Sequence, residues 1–395
     1  MKIAIWWNVP CLAVSGIFRE LAARPQTAVD VFLLADLQAS RRELGWAFPD
    51  YGGARVRVLR PGEAAQVPLA DYDFHVVCNV YFYPELNAVT NDLIRRGLPY
   101  GVMMEAPYNE FRGLKRLAKE GYLRLLVPGR CRPRSEQAGF IACLSGGGSR
   151  NAAWLERYGF PRRAIVPFGY FTEAPPVTRA APGAASGPLK VLCTGYLTRN
   201  KGHHLLLDAL RRLAADGTAF EAVFTGYGPE RPRLERRIAR AGLGGRVRLA
   251  GVVAADELFR LYAWADVLVA PGLDEPWGIR VNESLQVGTP VIVSSGVGAH
   301  QIVAASGGGC VVARGSRREL YASLRLLAAS PETRLRMQSR LAAYRERLHP
   351  RAAADMLHAL IRGAMAGTEL PRTPPWAAAP KTHHRAFPVS ASPAL

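Results

Sequence analysis

ADVLVAPGLDEPWGIRVNESLQVGTPVIVSSGVGA, residues 265–299, is the stretch that decides the fold. It opens on an apolar run, Val267 to Ala270, closed by Pro271 and Gly272, and a run bounded by turn residues predicts a short buried strand. A polar loop, Leu273 to Gly278, follows. Apolar positions 279, 281, 285 and 287 then predict a helix that stops at Gly288 with Pro290 behind it. Val291 to Val293 predicts the next strand. Strand, loop, helix, strand is one parallel crossover unit. Ligands of such sheets sit outside the carboxyl ends of the strands, where the loop feeds the helix. That loop carries Glu275 and the helix carries Glu283. Two carboxylates accept hydrogen bonds from hydroxyls, and the N–H groups of a helix start hold phosphate. Hydroxyls and phosphate together describe a sugar nucleotide.

Strand–turn–helix units extend to both sides of this stretch. Upstream, strands are predicted at Leu189 to Thr194, Ala222 to Thr225 and Val247 to Leu249; downstream, a short one at Val311 and Val312. Residues 189–349 thus read as one doubly wound domain. Residues 1–171 read as another, with strands near 2–7, 29–34, 55–59, 74–78, 100–104, 140–144 and 164–167. Between them, 172–188 is rich in Pro, Ala and Gly and reads as a linker. A helix over 350–366 follows Pro350, and 367–395 is Pro-rich without pattern, which predicts a disordered tail.

Glu275-Pro-Trp-Gly278 followed by Asn282-Glu283 has the E-x7-E form and resembles retaining glycosyltransferases of the GT-B fold, glycosyltransferase family 4. The resemblance implies an α/β protein of two doubly wound Rossmann-like domains facing across a cleft, the donor bound in the second and the acceptor in the first. It implies that Glu275 holds hydroxyls of the donor sugar and Glu283 the nucleotide ribose. The backbone of Trp277, Gly278 and Ile279 would lie against sugar and phosphate. Gly195 to Gly202 resembles the family's phosphate loop: Lys201-Gly202 matches its end, but Tyr196 stands where an Arg is usual, and Arg199 is the nearby substitute. The Gly226-x-Gly228 turn is a landmark near the base pocket, and the base is expected at the backbone near Val252. Glu105 stands at a strand end where the family places a His or Asp facing the reaction centre. It would orient the acceptor or stabilise developing positive charge. Ser15-Gly16 is the only part of the loop after the first strand suited to close approach of a phosphate or acceptor. The helix over 350–366 would cross back to the first domain.

The resemblance implies sugar transfer from a nucleotide donor to a hydroxyl of a glycan or lipid-linked acceptor, with the donor as substrate and no cofactor. Asp71-Tyr-Asp73 resembles a metal-binding Asp-x-Asp, but it precedes a strand where that motif ends one, so no metal is expected. No Cys/His cluster has ligand spacing.

The chain of 395 residues carries a formal net charge of +19, which points to an anionic partner. Residues 112–134 hold eight cations, Arg112, Lys115, Arg116, Lys119, Arg124, Arg130, Arg132 and Arg134, against the single acid Glu120. Leucines interleave them at partly helical spacing, which suggests contact with an anionic membrane. The alternative is a basic polyanion- or nucleic-acid-binding protein on an inactive GT-B core. Against it, no aromatic-interleaved basic stripe or nucleic-acid motif stands in the sequence. No apolar run reaches a membrane span, and residues 1–7 predict a strand in place of a signal-peptide core. A cytoplasmic protein, peripheral at the inner face of the membrane, is the corresponding expectation.

Overall fold

The structure, a computed structural model, describes residues 1–38, 42, 47–106, 113–146, 149–177 and 187–377. Most of its strands are apolar runs buried on both faces, which is how parallel strands covered by helices read; the edge strands Arg55–Val58 and Val247–Gly251 are more exposed. In the first unit the strands are β1 (Lys2–Trp7), β2 (Ala28–Leu33), β3 (Arg55–Val58), β4 (Phe74–Cys78), β5 (Tyr100–Met104), β6 (Ile141–Cys143) and β7 (Ile165–Pro167). They form one parallel sheet in the order β3-β2-β1-β4-β5-β6-β7.

The second unit holds β8 (Leu189–Thr194), β9 (Phe220–Thr225), β10 (Val247–Gly251), β11 (Val267–Ala270), β12 (Val291–Ser294) and β13 (Gly309–Val312). Their order is β10-β9-β8-β11-β12-β13, again all parallel. Both sheets are doubly wound, as the spacing of strands and turns predicts. The core of the second unit packs Leu206, Leu210 and Leu213 of the helix His203–Ala215 against Val191, Ala222 and Val267 of the sheet.

The chain divides into Met1–Thr172 with His349–Pro375, and Glu173–Leu348 with the residues from Trp376 onward. The helix Pro350–Ala366 therefore belongs to the first unit. It packs on the helix Leu12–Ala22, where a Cβ on Gly16 would lie 2.9 Å from Pro350 Cγ. This corrects the reading of Ser15-Gly16 as a ligand loop: both residues lie inside a helix, and the glycine makes room for another helix.

The tail also differs from its expectation. Residues 367–377 are described, and Trp376 is buried at 2% exposure. Burial of this indole, with Arg372 Nη1 donating to Ile165 O at 3.0 Å, anchors the segment. Residues 378–395 lie outside the described residues, as do 178–186 of the linker and Arg112 of the basic segment. Asp73 accepts the Lys2 backbone N–H at 2.6 Å, so it closes a strand end. No helix among the described residues is long and apolar enough to cross a membrane.

Candidate functional site

The second sheet reverses its order between β8 and β11, so the loops leaving these strands part around one crevice. Glycine lets the loops touch again beyond it. Gly202 has φ +75°, and a Cβ there would lie 2.1 Å from the Pro271 carbonyl oxygen. Leu273 N–H donates to Asn200 O at 2.8 Å, and Asn200 Nδ2 donates to Asp274 O at 2.6 Å. On its other side the β11 loop is held by residues 296–299: Glu275 N–H donates to Gly296 O at 2.9 Å and Gly298 N–H to Glu275 O at 3.1 Å.

This frame presents the Glu275 carboxylate to two cations. Lys201 Nζ donates to Oε2 at 2.7 Å. Arg280 donates Nη1 to Oε2 at 2.9 Å and Nη2 to Oε1, a bidentate fork. Glu275 is 5% exposed and Arg280 6%. Burial alone would push the carboxyl up; Arg280 and then Lys201 outweigh it and hold Glu275 down at about 2. One carboxylate and two cations leave a net positive charge at the crevice. The helices His203–Ala215 and Arg280–Val287 start beside it, and their N-termini add partial positive charge. Such a place suits an anion.

Glu283 is treated differently by its surroundings. Burial pushes its carboxyl up, against the Tyr262 hydrogen bond and the charge of Arg280. The Tyr262 hydroxyl donates to Oε2 at 2.7 Å. The two carboxylates of the motif are thus driven to opposite sides of the ordinary range. One is a locked anion and the other holds a proton more readily than a free carboxyl, the kind of split that marks functional sites.

Between them Trp277 is 2% exposed, and its Nε1–H donates to Asn282 Oδ1 at 2.9 Å. Gly278 has φ +96°, which turns the backbone so that Ile279 enters the helix. At the sheet edge Val252 follows β10 at 47% exposure. The Gly226-x-Gly228 turn packs on the β8 loop: Cβ atoms at these glycines would lie 2.1 Å from Gly195 O and 2.6 Å from Leu197 O.

The structure thus brings together Lys201 and Glu275, and sets Trp277, Gly278, Ile279 and Glu283 on the continuing loop and helix. It does not bring Arg199 to the carboxylate. That side chain stands on the turn Arg199–Lys201, bears on His204, and its Nε is buried without a partner among the described residues. Tyr196 turns outward, 44% exposed, edge-on to Tyr227 at 4.7 Å. The second cation on Glu275 is Arg280, which the sequence reading passed over. A signal existed: a cation in the first turn of a helix opposes the macrodipole and calls for a nearby carboxylate.

In the first unit Glu105 follows β5 and is half-buried. Tyr170, just after β7, hydrogen-bonds to it, and burial pushes that hydroxyl well up. Residues 107–112, downstream of Glu105, lie outside the described residues. Among the described residues no group of three His, Cys, Asp or Glu is placed to hold a metal ion.

Residues 176–342 match the family described as glycosyl transferases group 1. An uncharacterized glycosyltransferase, MJ1607 of Methanocaldococcus jannaschii, is 35% identical over 153 residues, 39% of this chain and 34% of its own length. The GDP-mannose-dependent alpha-(1-6)-phosphatidylinositol dimannoside mannosyltransferase of Mycobacterium tuberculosis is 35% identical over 176 residues, 44% of this chain and 43% of its own. The chain thus spans well under half the length of these curated relatives. The solved structure of Anabaena Alr3699/HepE in complex with UDP superposes with a TM-score of 0.64, 17% identity, and coverage of 92% of this chain and 100% of that one. The fold is GT-B, two Rossmann-like units of parallel strands.

Proposed function

We propose, from the premise that residues 176–342 of this chain are a glycosyl transferases group 1 domain, that the protein is a retaining glycosyltransferase. It moves a sugar from a nucleotide-sugar donor to a hydroxyl of a glycan or lipid-linked acceptor. The observation that carries this reading is the Lys201–Glu275–Arg280 cluster at the switch point, with Glu283 on the helix behind it. A nucleotide sugar presents hydroxyls and phosphate together, and this crevice offers a fixed carboxylate, a surplus positive charge and helix N-termini for them.

In this reading the acceptor oxygen bonds to the anomeric carbon on the face the nucleotide leaves. The anomeric C–O bond breaks with its electron pair going to the phosphate oxygen, which also takes the acceptor's proton. Lys201 and the helix N-termini offset the charge that grows there. Glu283 accepts from ribose hydroxyls, the backbone near Val252 meets the base, and Glu105 with Tyr170 serves the acceptor side. The donor is a substrate and no cofactor or metal takes part. Nothing in the comparisons favours the polyanion-binding alternative.

The same reading places the protein in the cytoplasm, peripheral to the membrane. Its support is the helix Gly113–Leu125, where Leu114, Leu117 and Leu125 are 84%, 68% and 79% exposed among basic residues. Leucines left in water beside cations suit an anionic lipid interface. A screen of nucleotide-sugar donors and acceptors by mass spectrometry tests the main reading. Acceptor-dependent release of nucleoside diphosphate, with a glycosylated product of retained anomeric configuration, is expected. Binding of polyanions with no turnover of any donor would overturn it.

A further inference from the structure

After the helix Pro350–Ala366 the chain does something its local sequence gives no reason for. Residues 367–375 are exposed or half-buried, and then a single residue, Trp376, is fully covered. One of its neighbours is Trp277, in the loop between the two carboxylates. The rings lie 5.2 Å apart, tilted by 56°, and each side chain is 2% exposed.

Trp277 is thereby held on three sides. Its indole N–H donates to Asn282 Oδ1 at 2.9 Å. Its carbonyl accepts Ala299 N–H at 2.9 Å. Its ring meets Trp376. The segment that delivers Trp376 is pinned too: Arg347 Nη1 donates to Ala377 O at 2.6 Å within the second unit. Earlier on the segment, Arg372 Nη1 donates to Ile165 O at 3.0 Å within the first. An indole buries about 150–250 Å² and gains further from an aromatic neighbour.

We propose that Trp376 is a positioning residue for the donor loop: by packing on Trp277 it fixes the backbone from Glu275 to Ile279 in the geometry that presents the carboxylate and the helix N-terminus to the nucleotide sugar. The role of the loop rests on the reading under Proposed function; the packing does not. Pro276 and Gly278 flank Trp277 in the chain, with Glu275 one residue further back, and Gly278 has no side chain to brace the turn. An aromatic brace raises the cost of opening a loop locally.

The test is hydrogen exchange by mass spectrometry on the full chain, comparing wild type with Trp376→Ala, Trp376→Phe and a chain ending at Pro375. Exchange over residues 272–280 should rise about tenfold or more in Trp376→Ala and in the shortened chain, while the helix His203–Ala215 keeps its protection. Trp376→Phe should restore most of it, since an aromatic ring remains. Calorimetry with UDP and GDP gives the functional arm: the nucleoside diphosphate that wild type binds should bind about tenfold more weakly to Trp376→Ala and recover with Phe. Unchanged exchange in the loop, or an equal rise across the whole unit, overturns the proposal. So does a loosened loop with unaltered nucleotide affinity. If wild type binds neither nucleotide, the donor reading falls, and the exchange measurement alone decides what Trp376 does.

Discussion

Arg280 grips Glu275 with both terminal nitrogens, and both side chains are buried. A buried fork of this kind is costly to break from one side, because the charge left behind stays buried. Lys201 adds a third bond to the same carboxylate. The glutamate that the sequence motif singles out is therefore held by two cations at once.

Arg280→Gln is expected to destabilise the second unit by about 3–5 kcal/mol, measured by denaturant unfolding at neutral pH. The pH dependence gives an independent check. Glu275 is held at about 2, below its ordinary value, so its ion pairs stabilise the fold above that ordinary range. The contribution is lost as pH falls through the acid range toward 2. In Arg280→Gln the loss should begin at higher pH. An unchanged acid limb would show that Glu275 does not depend on Arg280.

Glu283 carries the opposite sign. Its carboxyl is raised by burial, so the native state holds the proton more tightly than the unfolded chain. Stability from this group is full below the ordinary carboxyl pKa and is lost as pH rises through the raised one. Glu283→Gln should therefore leave neutral-pH stability unchanged or improved. Glu283→Ala, which also strips the Tyr262 hydroxyl of its acceptor, should weaken nucleotide-donor binding by about 1–3 kcal/mol. Calorimetry with the cognate nucleotide decides, and equal affinity in a folded variant removes Glu283 from the site.

Turnover should not require a divalent metal, because in the proposed reading Lys201, the surplus charge it shares with Arg280 and the helix N-termini hold the phosphate. Dialysis against EDTA is expected to leave the rate of nucleotide release unchanged. Loss of activity restored by manganese would return attention to Asp71 and Asp73.

The exposed leucines of the helix Gly113–Leu125 should bring the protein to anionic vesicles at low salt, each nearby cation adding up to about 1 kcal/mol. Reversing the charge of Lys115, Arg116 and Lys119, with Leu114→Ser and Leu117→Ser, should release it. Transfer to a soluble acceptor analogue should stay nearly intact. Vesicle flotation is the measurement, and wild type that stays with the soluble fraction rules the membrane contact out.

What the sequence by itself determined is the scaffold and its chemistry-bearing loop. Strands buried on both faces leave continuous apolar runs such as Val267–Ala270, and glycines mark where the chain must turn or be approached closely. These signals are local, so the strands, the E-x7-E spacing of Glu275 and Glu283 and the Lys201-Gly202 turn are legible without a structure. The partners of those residues are not. Lys201 meets Glu275 across 74 residues and Tyr262 meets Glu283 across 21, distances closed only by the order in which parallel strands pair. Arg280 carries no motif of its own, and only the crevice between β8 and β11 gives it its partner. Gly16 looked like a ligand loop until the helix Pro350–Ala366 lay against it. Trp376 looked like part of a structureless tail because the ring it packs on, Trp277, stands about a hundred residues earlier, and no local pattern records a contact of that range.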